Sequence, residues 1–279
     1  MFKKTIAKSI VIEGKTMYEG NPTSIQCLPY DKGIAIEYRG VRKLLSPEAF
    51  NEKEKGYTTS VQVGDNNVVM TEHLLSAIIG LGINSILIKT TSPEIPFSAN
   101  AELFTNSLKN IDLVDTDVYH KQIKIDRTLR IDGQNGKYCI ITPSDKFEIT
   151  ITVDFPFPIG RQSYYYVQSK ENYLSEIAHA RSILIFAIDD IDPWENYKVH
   201  FPQFPAIIPQ DPKKCPFIAY NKTSFITPLH NNLEPVQHKL LDFIGDLAFL
   251  GQDVQGCFHL YKPGHAFNRK VVKVLDLLF

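Results

Sequence analysis

The run from Glu234 to Gly251, EPVQHKLLDFIGDLAFLG, constrains this chain more than any other. Pro235 sits in the first turn, where a helix tolerates it, and Gly251 is a usual stop, so the run reads as one helix. His238, Asp242 and Asp246 recur every fourth residue and project from one face, while Leu240, Leu241, Phe243, Ile244, Leu247, Ala248 and Phe249 cover nearly all the rest. A helix apolar on so many sides must be buried, and its carboxylates are buried with it. Two bare carboxylates there would cost roughly several kcal/mol each, so they require a metal, a cation or hydrogen-bond donors. A histidine one turn before Asp242 favours the metal.

At 279 residues, 43% of them apolar, the chain can bury such a helix, and its length suggests two domains. The 30 basic and 31 acidic residues nearly cancel and no Lys/Arg-rich run appears, so no nucleic-acid or polybasic membrane surface is expected. Lys8 interrupts the first apolar stretch and Glu13 closes it, leaving nothing of signal-peptide length, and no segment is long enough to span a membrane. Cys27, Cys139, Cys215 and Cys257 lie far apart without a C-x-x-C pair, the pattern of free thiols in a reducing cytoplasm. The expectation is a cytoplasmic monomer.

Residues 7–70 alternate short β-like runs with turn signals such as Gly14, Gly20 and Gly33, which predicts an antiparallel sheet. Thr71 is placed to cap a short apolar helix in TEHLLSAIIGLGI, after which INSILIKT reads as strand and SANAELFTNSLKN as an amphipathic helix. The polar stretch IDLVDTDVYHKQ reads as a connection, giving domains at 1–116 and 117–279. The second domain opens with the strands IKIDRTLRIDG, KYCIITP and FEITITVDF, and NYLSEIAHARSILIFAI reads as a helix or a helix–strand junction. Prolines between Pro193 and Pro228 prohibit a long helix over about 187–232, and the aromatics among them predict an insertion folded against the domain or around a greasy ligand. GCFHLYK then reads as strand and FNRKVVKVLDLLF as the last helix. EHLLSAIIGLG followed by NSILIK echoes QHKLLDFIGDLAFLG followed by GCFHLYK, a hint of duplication and of an α+β fold with helices gathered between or upon two sheets.

Glu72 and His73 are adjacent where the short apolar helix begins, so an imidazole can bind a metal while the carboxylate reaches water beside it. With His238 and Asp242, His73 supplies two histidines and a carboxylate, the ligand set of a catalytic zinc that keeps its fourth position open. GHAFN adds His265 in a loop at a helix start.

TEHLLSAIIGLGINS, PEIP, GRQSYYYV, HARS, EPVQHKLLDFIGDLAFLG and GHAFN together resemble the motifs of the UDP-3-O-acyl-N-acetylglucosamine deacetylase (LpxC) family of lipid A synthesis, in order and along the whole chain. The resemblance implies two β-α-α-β layered domains that sandwich their helices, with the active site between them and an acyl-chain passage built by the insertion. It implies zinc held by His73, His238 and Asp242, Glu72 as general base, His265 as a cationic acid oriented by Asp246, and Lys239 as a phosphate contact. Ser182 stands where the family has an oxyanion-binding threonine and keeps its hydroxyl. The implied partner is a UDP-linked acylated amino sugar, and the implied reaction is hydrolysis of its N-acetyl amide.

The departures from the family pattern fall on substrate-contact positions. The histidine of G-x-G-x-H-x-G is replaced by Tyr18, the Asp-Gly-Ser after PEIP by FSAN, and no Gly-Gly-Ser-x-x-Asn stretch precedes the central helix, where FPQFPAIIPQDPKKCPFIAYN stands. They leave open a relative that deacylates a different nucleotide- or lipid-linked amino sugar. A zinc-stabilised binding protein without turnover fits less well, because a structural zinc prefers a closed shell of four ligands.

Overall fold

The computed structural model describes residues 2–51, 58–185 and 214–279, and within them the chain is α+β. Its first half runs β1 (Phe2–Ile6), β2 (Ile10–Lys15), β3 (Pro22–Leu28), β4 (Ile34–Tyr38), β5 (Val41–Leu44), the hairpin β6 (Val61–Val63) and β7 (Asn66–Val68), α1 (Glu72–Gly80), β8 (Ile86–Thr90) and α2 (Glu102–Leu108). The second half runs β9 (Leu113–Tyr119), β10 (Gln122–Lys124), β11 (Leu129–Asp132), β12 (Tyr138–Thr142), β13 (Phe147–Asp154), β14 (Arg161–Val167), β15 (Ile183–Ile185), β16 (Ile218–Tyr220), α3 (Glu234–Leu247), β17 (Asp253–Tyr261) and α4 (His265–Leu278).

The two halves repeat one topology. Each has two antiparallel hairpins, β2–β3 with β4–β5 and β11–β12 with β13–β14, and the strand after the buried helix enters the gap between them. Thus β8 lies antiparallel to β3 and parallel to β4, as β17 lies antiparallel to β12 and parallel to β13. The weak sequence echo therefore marks a duplicated unit. The sheets are mixed where the first was expected to be antiparallel, because a strand that returns across a helix comes back parallel.

The stretch expected as a polar connection is β9, paired antiparallel with β1. Most of its side chains are exposed or half-exposed, so its order comes from backbone pairing and leaves no apolar period in the sequence. Thr71 does precede α1, yet its hydroxyl does not cap the helix; it donates to the Thr59 carbonyl oxygen at 2.9 Å. Residues 170–177 form a short helical segment that leads into β15, the expected helix–strand junction. Of the insertion, residues 186–213 lie outside the described residues, and with them most of the expected acyl passage; its far end returns as β16, parallel to β15.

One apolar core joins both sheets and runs through α1 and α3, which pack on each other. Every residue of α3 is buried except Lys239. A Cβ on Gly245 would lie 2.2 Å from the Glu72 carbonyl oxygen, so glycine is what lets the start of α1 lie against the middle of α3. Leu240, Phe243 and Ile244 are fully buried, worth about 1.5–3 kcal/mol each, and hold the helix from its other sides. Beyond Leu247 the helix tightens into a 3-10 turn at Ala248–Leu250 and ends on Gly251 at φ 64°.

Candidate active site

The α1–α3 crossing brings together residues more than 160 positions apart in the chain. Glu72, His73, His238, Asp242, Asp246 and His265 are each 5% exposed or less, so every charge among them needs a partner, and each has one.

His73 Nδ1 lies 2.7 Å from the Ser98 carbonyl oxygen and His238 Nδ1 lies 3.0 Å from that of Ala180. A carbonyl can only accept, so each Nδ1 carries the hydrogen and each Nε2 turns its lone pair inward. There His73 Nε2 and His238 Nε2 lie 3.7 and 3.3 Å from Asp242 Oδ1. The three ligand atoms lie within 4.8 Å of one another. Ligands at tetrahedral zinc bond lengths stand about 3.3 Å apart, so two nitrogens and one oxygen at these separations fit such an ion. These residues can hold a metal.

Burial opposes a charge on Asp242, but His238, Lys239 and His265 around it outweigh burial and hold its carboxyl well below the usual range. Burial pushes His238 down to about 3, which leaves a neutral imidazole fit to ligate. His73 is also penalised by burial, yet Asp242 and Glu72 raise it above the ordinary histidine value. Lys239 Nζ donates to Asp242 Oδ2 at 2.7 Å, so the residue the resemblance assigns to phosphate here touches the ligand carboxylate.

Next to His73 in the chain stands Glu72. Thr58 Oγ1 lies 2.8 Å from both its carboxylate oxygens, and the Thr59 amide donates to Oε2 at 2.9 Å. His265 Nε2 lies 3.8 Å from Asp242 Oδ2, while its Nδ1 lies 2.9 Å from Asp246 Oδ2. Burial disfavours the imidazolium, but Asp246 and Asp242 prevail and raise His265 to about 9. Asn268 Nδ2 donates to Asp246 Oδ2 at 2.8 Å and Thr59 Oγ1 to Asp246 Oδ1 at 2.5 Å. Ser182 Oγ lies 3.5 Å from His73 Nε2 and donates to the Ala99 carbonyl oxygen at 3.1 Å, which puts the hydroxyl at the rim of the ligand set.

All eight residues singled out in the sequence thus meet in one place. Thr58, Thr59 and Asn268 join them unannounced. Asn268 is part of GHAFN and its register on α4 points to the site, whereas nothing in the sequence around Thr58 and Thr59 marks them.

The family model for UDP-3-O-acyl N-acetylglycosamine deacetylase, LpxC, matches residues 3–195 and 212–276. The chain belongs to this family. Deacetylases named UDP-3-O-acyl-N-acetylglucosamine deacetylase are similar to it over nearly its whole length. The one from Psychrobacter arcticus is 28% identical, covering 98% of this chain and 85% of its own. That of Neisseria meningitidis serogroup C is 28% identical over 99% and 90%, and that of Syntrophus aciditrophicus 27% over 98% and 86%.

The three departures from the LpxC pattern converge in space. Ala99, Cys215, Phe217 and Ala219 form a small apolar cluster apart from the main core, with Met17, Tyr18, Phe97 and Ile226 packed on it. Phe97 and Phe217 meet at a ring distance of 5.5 Å. The same segment keeps its backbone ties to the site, since Ser98 and Ala99 supply the carbonyls that receive His73 and Ser182.

Proposed function

We propose that this chain hydrolyses the N-acetyl group of UDP-3-O-acyl-N-acetylglucosamine in lipid A biosynthesis, with zinc held by His73, His238 and Asp242. The observation that carries the reading is one ligand set with two proton-handling groups against it, Glu72 acting on His73 and His265 Nε2 lying 3.8 Å from Asp242 Oδ2. Zinc in that set would supply Lewis-acid polarisation and acidified water. Glu72 accepts a proton from the water that attacks the acetyl carbonyl. The Ser182 hydroxyl, turning from the Ala99 carbonyl to which it donates in the structure, donates to the oxygen that gains charge. His265 delivers a proton from Nε2 to the departing amine as the C–N bond breaks, and acetate and a free amino sugar leave.

Asp246 accepts the other hydrogen of His265, so the proton that moves is the one on Nε2. Lys239, 21% exposed, uses one of its three hydrogens on Asp242 and is read as the contact for a substrate phosphate with the others. The four free thiols suit a reducing cytoplasm, where a monomer is the working reading. Among the described residues no helix is long and apolar enough to cross a membrane. A second reading, deacylation of a different nucleotide- or lipid-linked amino sugar, draws on the apolar cluster around Phe217 where the LpxC pattern has polar motifs.

The test is mass spectrometry of UDP-3-O-acyl-N-acetylglucosamine incubated with zinc-loaded protein. Deacetylated product is expected, and Glu72→Gln should lower turnover by about two to four orders of magnitude while metal stays bound. Absence of product from the parent protein, with product from another acylated amino sugar, would replace the first reading by the second.

A further inference from the structure

Thr59 has no exposed surface, and every polar atom it carries is hydrogen-bonded. Its amide donates to Glu72 Oε2 at 2.9 Å. Its carbonyl accepts from the Thr71 amide at 3.0 Å and the Thr71 hydroxyl at 2.9 Å, one residue before Glu72 on the chain. Its Oγ1 lies 2.5 Å from Asp246 Oδ1 and 3.0 Å from His265 Nδ1.

The direction of these bonds follows from the groups. An ionised carboxylate only accepts, so the single hydroxyl hydrogen goes to Asp246, and the Thr59 oxygen is left to accept. The hydrogen on His265 Nδ1 then lies between Asp246 Oδ2 at 2.9 Å and Thr59 Oγ1 at 3.0 Å. Two acceptors fix the ring plane, which one acceptor leaves free to rock, and a fixed plane keeps Nε2 aimed past Asp242. The same residue anchors the carboxylate of Glu72 through its backbone.

We propose that Thr59 is a positioning residue that holds the base Glu72 and the acid His265 in one register, by its amide on the one and its hydroxyl on the other. This rests on the roles given above to Glu72 and His265. A buried threonine that served the fold alone would have to satisfy its hydroxyl, and any backbone carbonyl would do; here the hydroxyl bridges the acid and its orienting carboxylate. Misplacement of a reacting group by about an ångström is worth roughly a hundredfold in rate, so loss of the bridge should appear in kcat and leave KM unaltered.

Thr59→Val replaces the hydroxyl with a methyl group of the same size and keeps all the backbone bonds, whereas Thr59→Ser keeps the hydroxyl. The valine variant is expected to lose about tenfold to hundredfold in kcat at unchanged KM, and the serine variant to stay within about a factor of three of the parent. Nitrogen–proton NMR of the histidine rings in the metal-free protein supplies a readout that needs no turnover: the His265 Nδ1–H signal should move in Thr59→Val and hold in Thr59→Ser. Parental kcat in the valine variant, equal loss in both variants, or an unmoved ring signal overturns the proposal. If the valine variant does not fold, Thr59→Ala, with the same backbone bonds, is compared with serine in both assays. A zinc-loaded parent without deacetylase activity refutes the proposed function, and the ring signal then still decides the role of Thr59.

Discussion

Asp246→Asn isolates one charge at nearly constant shape. In the metal-free protein His265 is protonated up to about 9, with burial opposing the imidazolium and the carboxylates of Asp246, Asp242 and Glu72 favouring it. Asp246 is the nearest of these, 2.9 Å from Nδ1. An opposite charge this close moves a partner by about one to three pH units, so the variant should titrate between about 6 and 8. A divalent cation bound at Asp242 also opposes the imidazolium, which places the alkaline limb of kcat/KM in the loaded enzyme below the metal-free midpoint, and lower still in Asp246→Asn. The linkage has a definite sign. A raised folded pKa stabilises the protein fully below the ordinary histidine value of about 6.5 and is lost as pH rises through about 9, so the metal-free parent should lose melting temperature across that window more steeply than the variant. Histidine ring NMR against pH reads the midpoint, and kcat/KM against pH reads the limb. A midpoint that stays in place or rises in Asp246→Asn would refute the assignment of His265 as an acid held charged by Asp246.

Gly245→Ala should destabilise, although helix propensity alone favours alanine by about 1 kcal/mol, because the new Cβ would stand 2.2 Å from the Glu72 carbonyl oxygen. Overpacking of about 1–3 kcal/mol less that gain leaves up to about 2 kcal/mol, which at about 2–4 °C per kcal/mol in a chain of this size lowers the melting temperature by up to about 8 °C; a rise would refute the close approach of α1 and α3. One zinc per chain is expected by elemental analysis, and Asp242→Ala and His238→Ala should each lose most of it, since either removes one of the three proposed ligands. Full retention in both would remove the site.

Much of this protein is legible in its sequence because its central helix carries two messages at once. Apolar residues on most faces declare α3 buried, and a burial that includes His238, Asp242 and Asp246 has to be answered by a metal, a cation or hydrogen-bond donors, so a polar site inside the core is expected before any fold is known. The strands, the helix ends at Pro235 and Gly251, and the echo of one half in the other are likewise local patterns, set by periodicity and backbone preference. Tertiary structure decided what depends on distance along the chain. That β9 pairs with β1 rests on backbone bonds between residues about a hundred positions apart, and its exposed side chains leave no period to read. Thr59 resembles any strand-edge threonine until the fold sets its hydroxyl between Asp246 and His265. Gly245 reads as an ordinary weak point of a helix until α1 lies against it. A sequence records which groups need partners; which partner each receives is settled only when the two halves close on each other and distant residues compete for the same few ångströms.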